Sequence, residues 1–534
     1  MFANRASALF RSLLLTLLVW PAAPALAQEH GHPEGDPSEL GEVAFPSSCD
    51  AEVAPRLERA VAMLHSFWFE TATGEFEAVA KADPSCAMAH WGTAMVLMGN
   101  PMTRVIPPAE RLSAGRAAAE RAVELAADAS HREQMYAAAV LAYYATEGGF
   151  AERMTAHESA MDALRTAHPE DPEATIFYGR AAVANAPPED LTFARQIAAA
   201  ELMRPLFEAQ PRHPGLAHYI IHAYDAPPLA ERAREAAFAY AEIAPAAPHA
   251  LHMPSHIFTR LGYWEESIET NDRSAQASEE PDAAVHPMDY MVYAYLQLGR
   301  DGEAKAVVER AVDNPDEFYG GLLGYNFAAM PARYALERDD WATAAQLRVP
   351  VGALPYVEAV TRFARSIGAA RSGDPDAAQA EAEALAGLQA KLAADGDTYW
   401  ATIVRAQRVA TDAWIARARG DDATAVLLAR EAAEVEALVE KHPVTPGPLI
   451  PASELLGDLL LELDQPAQAL EAYEATLERE PRRARATYGA ARAAEAAGKR
   501  EVAERYYRDL LETLEHADAS RGEVERARRY LAGG

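Results

Sequence analysis

At 534 residues the chain is longer than one compact core usually accommodates, yet no composition shift of the kind that separates unlike domains runs along it. Its formal net charge of −31, with no concentrated basic stripe beyond the mixed-sign stretch near Arg482 to Arg485, repels nucleic acid and anionic lipid and disfavours both as partners. Abundant alanine and little Val/Ile/Thr alternation predict an all-α chain.

Residues 1–27 read as a secretory signal peptide. Arg5 and Arg11 precede an apolar core from Leu13 to Trp20, and Ala25-Leu26-Ala27 supplies a small-residue cleavage site. The mature chain is then expected to begin at Gln28 and to be periplasmic or secreted. Gln28 offers no thiol for a lipid anchor, and no later apolar run of about twenty residues predicts membrane insertion of the mature chain.

Residues 28–46, polar and rich in Gly and Pro, are expected to form a flexible linker. His30 falls third after the cleavage point, where a free amine, two amides and the imidazole make a square-planar set for Cu(II) or Ni(II). A solvated tail with incidental His30 and His32 is the simpler reading. Cys49 and Cys86 are the only cysteines, an even count that suits a disulfide in an oxidising compartment, with two buried thiols as the other option. No CxxC redox motif is present.

From Cys49 onward helical patterns follow one another. Ala72, Phe76 and Pro84 mark the second half of a hairpin, and AMAHWGTAMVLMG opens the next. His65, Trp68, His90 and Trp91 sit on dense apolar helices, where a satisfied core histidine is the expected role. Between Pro107 and Pro211 the spacing is less regular, and His131, His157 and His168 stand singly.

Six of the 16 histidines then crowd into one stretch: His213, His218, His222, His249, His252 and His256. His218 and His222 are four apart, as are His252 and His256, so on a helix each pair shares one face. The pairs are offset by 34 residues, a step repeated from Pro211 to Pro245. Downstream, Gly299, Ala304, Val308 and Ala311 mark another unit, and Tyr325, Asn326, Arg333 and Trp341 a further one. RVPVGALPYV interrupts the helical pattern and puts a joint near residue 350, between an N-terminal helical region (47–345) and a C-terminal one (351–534). The latter pauses at KHPVTPGPLIP. It ends in two regular units, Gly457, Ala469, Tyr473 and Pro481 in one, Ala491, Ala503 and Tyr507 in the next.

A period of 34 residues is that of the tetratricopeptide repeat, two antiparallel helices stacked into a solenoid, and the chain resembles such proteins over most of its mature length. The match is closest in 451–514, 211–314 and 53–98. HYIIHAYD and HALHMPSHIFTRLG further resemble segments of exported bacterial repeat proteins, a likeness that implies a fold and assigns no activity. It implies a tetratricopeptide-like helical-hairpin solenoid in which the first helix of each repeat lines a concave groove. By that register His218 and His252 take equivalent groove positions, as do His222 and His256, while His249 and Asp225 also face inward. His286 then matches His249, Asp289 matches His252 and Tyr293 matches His256.

Two departures stand out. Pro254 lies between His252 and His256 and biases Met253 away from helical geometry, so a late helix start is expected there. Asn271 stands where the family places an aromatic residue, which lets a polar group reach the groove from the second helix.

Neutral imidazoles bind borderline transition metals, with Zn or Cu the foremost choices. His218, His222, His252 and His256 are the expected ligands, each pair able to grip one ion or facing histidines of neighbouring hairpins able to share one. His249, Asp225 and His286 serve as alternates or as partners that orient imidazoles. The competing reading has the histidines bonded to backbone and to tyrosines such as Tyr219 and Tyr224. No HExxH, Ser-His-Asp order, phosphate loop or paired-carboxylate signature appears, and no catalytic residue is assigned. The expectation is an exported solenoid whose histidine-lined groove binds a transition metal, for metal handling or metal-dependent chemistry. The alternative is a metal-independent scaffold for a peptide or protein partner.

Overall fold

The computed structural model describes residues 37–278, 284–311, 320–321 and 323–533. It is an all-α helical-hairpin solenoid, helix packing on helix in neighbouring pairs, with no strand among the described residues. The expected signal peptide, His30 and His32 lie outside the described residues. No described helix is long and apolar enough to cross a membrane.

Helix starts follow local rules. Pro214–Tyr224, Pro248–His252 and Pro254–Leu261 each open on proline, whose fixed φ suits the first helical turn. Pairing within hairpins depends on small residues against rings: a Cβ on Gly457 or Gly489 would come within 2.8 or 2.4 Å of the Tyr473 ring. This contact is the physical content of the Gly457/Tyr473 pattern.

A helical segment does start late, at Pro254, and His252 and His256 straddle that start as expected, but Met253 before it is not turned out of helical geometry. Met253 holds helical angles (φ −55°, ψ −35°) and donates its N–H to the His249 carbonyl at 3.0 Å. Proline removes one backbone donor without turning the chain, so His252 and His256 remain on one face.

The flexible linker expected over 28–46 is corrected for its second half. Pro37–Leu40 forms a short 3-10 helix, the Glu42 N–H donates to the Arg212 carbonyl at 2.9 Å, and Leu40 and Phe45 are buried. The Phe45 ring stacks on Trp91 at 5.1 Å. Two apolar side chains in an otherwise polar stretch suffice to dock it. Cys49 and Cys86 form a disulfide that ties the entry of the first hairpin, Ala54–His65 and Phe69–Ala82, to the head of Ala87–Met98.

One apolar core runs from Leu40 to Phe258 and another from Tyr325 to Ala527, with smaller clusters around Trp264–Leu298 and Val285–Met330. The proline-rich break near residue 350 is a loop, and packing continues across it: Tyr325 and Val357 share one core. The last units dock on the histidine-bearing ones. Trp264 Nε1 donates to the Arg482 carbonyl (3.2 Å), Tyr293 Oη to Glu480 Oε2 (2.6 Å) and the Ala484 N–H to Gln297 Oε1 (3.0 Å). Gly262 (φ +71°) lies so close to this seam that a Cβ would stand 2.7 Å from the Pro481 carbonyl oxygen.

Candidate metal centre

The helix Pro214–Tyr224 presents His218 and His222 one turn apart. The interrupted helix Pro248–Leu261 presents His249, His252 and His256, and the first turn of Val285–Gln297 adds His286. Their rings converge, as two groups of three. In His218, His222 and His249, and again in His252, His256 and His286, one ligand atom from each residue lies within 4.8 Å of the others. The single ion shared by His218, His222, His252 and His256 is therefore not the arrangement observed. Each helical pair instead takes its third member from the alternates, His249 and His286, each in the first turn of its helix.

The hydrogen bonds on the far side of the rings decide what the near side can do. His218 Nδ1 donates to the His65 carbonyl (2.6 Å), His252 Nδ1 to Asn271 Oδ1 (2.7 Å) and His256 Nδ1 to Asp225 Oδ2 (2.8 Å). Asn271 is oriented by its amide nitrogen, which donates to the Ser267 carbonyl at 2.6 Å. All three partners are acceptors only, so each imidazole commits its one proton to Nδ1 and leaves a lone pair on Nε2.

His252 Nε2 and His256 Nε2 nevertheless face each other at 3.0 Å. Two lone pairs at that distance repel unless a cation lies between them. His218 Nε2 and His249 Nε2 approach to 3.2 Å, and His222 Nε2 and His286 Nδ1 are buried atoms without a hydrogen-bond partner. Nitrogens each bound at about 2.0–2.1 Å to one ion stand roughly 2.9–3.4 Å apart at right-angle to tetrahedral geometry. Both close pairs fall in that range.

Protons do not fill the gap. Burial, then the neighbouring imidazoles, hold His222 and His249 well below the ordinary histidine range. Burial leads for His218, His252 and His286 as well, again with a neighbouring imidazole next, and hydrogen bonds to the His65 carbonyl and to Asn271 offset only part of the effect at His218 and His252. His256 is lowered less, since burial is opposed by Asp225. The six rings are neutral donors near pH 7.

Asp225 does not point at the convergence. Its carboxylate holds His256 from behind and is itself bound by Lys441 Nζ (2.8 Å) and Arg260 Nε (3.0 Å). Burial raises its pKa, but these two cations and the His256 hydrogen bond outweigh that and keep it well below the usual carboxylate range. Asn271 reaches His252 from the second helix of its hairpin, where the departure from the repeat pattern pointed. Asp289 and Tyr293 do not continue the ligand row: Asp289 pairs with Arg333 (3.4 Å) and Tyr293 with Glu480. Arg333 lies over the Tyr293 ring at 4.9 Å, and Tyr325 packs against Trp400 at 5.4 Å.

An aromatic ring covers each group. Phe67 packs on His218 and His249 at 4.4 and 5.4 Å between centroids, and Tyr290 on His252, His256 and His286 at 5.0, 5.1 and 5.3 Å. Tyr290 Oη also donates to the Thr445 carbonyl at 3.1 Å. The KHPVTPGPLIP segment is therefore more than a pause, since its Lys441 and Thr445 close the back of the site.

Two other groupings serve as controls. His65 Nε2 (2.9 Å) and His213 Nε2 (2.8 Å) donate to the two oxygens of buried Glu173, while Tyr219 Oη and the Leu216 N–H supply their Nδ1 atoms. Every polar atom there is satisfied, as expected for core histidines. Cys49, Asp83 and Cys86 also cluster, with both sulfurs spent in the disulfide.

Sequence reasoning missed Glu173, Arg260 and Lys441. Arg260 follows His256 by four and lies on the same helical face, which was readable; Lys441 carried no local signal. Compared with known proteins, the chain matches no protein-family model and no curated relative.

Proposed function

We propose that the chain is an exported tetratricopeptide-repeat protein that binds a transition metal, zinc or copper, through its buried histidines, for metal handling or metal-dependent chemistry. The observation that carries this reading is the opposed Nε2 pair of His252 and His256, whose far nitrogens are both committed as donors. Neutral polar atoms converging without a partner cost folding free energy, and a bound cation reverses the sign of that term. The donor set, all imidazole with no carboxylate facing inward, suits zinc and copper over calcium or magnesium. Export is supported by the Cys49–Cys86 disulfide, which persists in oxidising compartments. Repeat membership is supported by the 34-residue step and the Gly457–Tyr473 contact.

The test is element-resolved metal analysis of tag-free protein against His222→Ala/His256→Ala. Bound zinc or copper in the parent, with loss of metal and of metal-dependent thermal stabilisation in the variant, is expected. A metal-free parent that gains no stability from added zinc or copper removes the proposal and leaves a solenoid scaffold.

A further inference from the structure

Within each group of three, ring centroids lie 4.4 to 6.5 Å apart. Between the groups, His222 lies 6.0 Å from His256 and His249 lies 6.1 Å from His252. The six rings thus form one continuous cluster in which the two groups share a wall. Each group has its own close nitrogen pair at ligating distance and its own partnerless nitrogen, His222 Nε2 in one and His286 Nδ1 in the other. One ion among His252, His256 and His286 would leave His222 Nε2 without a partner and His218 and His249 joined only by an N–H···N bond, while one ion among the other three would leave the His252–His256 pair opposed and His286 Nδ1 unfilled.

We infer that the site is dinuclear: two transition-metal ions, three histidines each, close enough to be bridged by one small anion. The inference rests on the metal-binding reading above. Ions that share a bridging atom stand about 3.5–4 Å apart, a separation that two adjoining groups with these cross-distances accommodate. Three imidazoles leave a coordination position open on each ion, and the bridge fills both. His222, His249 and His286 are the partly exposed members, whereas His218, His252 and His256 are buried, so the ligand would enter over the former. The chemical class taken is a small anion the size of azide or smaller, because Phe67 and Tyr290 cover the two flanks.

The experiment uses full-length mature protein carrying His30→Ala, which removes the imidazole that an N-terminal Cu(II) set would need, loaded with Cu(II), oxidised with ferricyanide and desalted. His222→Ala and His286→Ala are the variants, with His222→Gln and His286→Gln in case the truncations unfold by circular dichroism. Two coppers per chain in the parent and one in each variant are expected. The parent should show a paramagnetic resonance signal several-fold below its copper content, with full intensity regained in each variant. In the parent, one azide per two coppers should produce a charge-transfer band. One copper per chain, abolished by either variant, overturns the dinuclear site while leaving metal binding intact. Two coppers with undiminished signal overturn the bridge, and no copper at all overturns the metal reading with it.

Discussion

A neutral imidazole has one proton and one lone pair, so the acceptor that takes the proton fixes where the lone pair points. Asn271, the His65 carbonyl and Asp225 do this for His252, His218 and His256. Removing such an orienting partner typically weakens metal affinity by about 10–100-fold. Asn271→Ala is therefore expected to lower affinity in the group containing His252 by that factor and to leave the group containing His218 unchanged, measured by competition with a chromogenic chelator. Equal weakening at both groups, or none, contradicts the assigned role. The HxxxH pairs were legible because a spacing of four is a local property of a helix. The role of Asp225 was not, since it depends on Lys441, which arrives from 216 residues further on and turns the carboxylate from the metal side to the rear.

At the scale of elements, proline openings and the 34-residue step made the hairpins readable, while the details decided by packing were not. Pro254 marked the late start that occurs, but the bias it puts on Met253 is overridden, since the flanking turns hold that residue helical. The polar lead-in looked free, but Leu40 and Phe45 anchor it. The disulfide crosses a sequence separation of 37, and closing such a loop stabilises by roughly 4 kcal/mol in the chain-entropy model. Cys49→Ser/Cys86→Ser should lose about that much in urea unfolding, with the loss following the first hairpins rather than the histidine site. Gly262→Ala puts a Cβ into the Pro481 carbonyl at positive φ, and a loss of about 2 kcal/mol or more is expected, against only the roughly 1–2 kcal/mol of backbone strain for Ala at Gly498, which shares the positive φ (+73°) but has open space around it.

Across the whole molecule, the C-terminal units do more than extend the coil. They dock on 260–302, and the Lys441–Pro451 segment backs the histidines through Asp225 and Tyr290. None of this was legible, because contacts between distant repeats leave no periodic trace. Burial also leaves a pH signature in this half. It pushes Glu436 up to about 7 from an ordinary 4.5, against its hydrogen bond from the Ala452 N–H. A raised carboxyl pKa means the folded state binds a proton that the unfolded state has lost, so stability falls as pH rises from 4.5 toward 7. Glu436→Gln should flatten that decline and be more stable than the parent at alkaline pH by roughly 1–3 kcal/mol. Parallel pH profiles for the two proteins would contradict it.

X-ray absorption at the metal edge of tag-free native protein reports most directly on what lies between the opposed imidazole nitrogens. Zinc or copper surrounded by imidazole nitrogen at about 2.0 Å is expected, with the imidazole scattering reduced in His252→Ala. A spectrum dominated by sulfur or carboxylate oxygen, or one unchanged by His252→Ala, would contradict metal binding by these histidines.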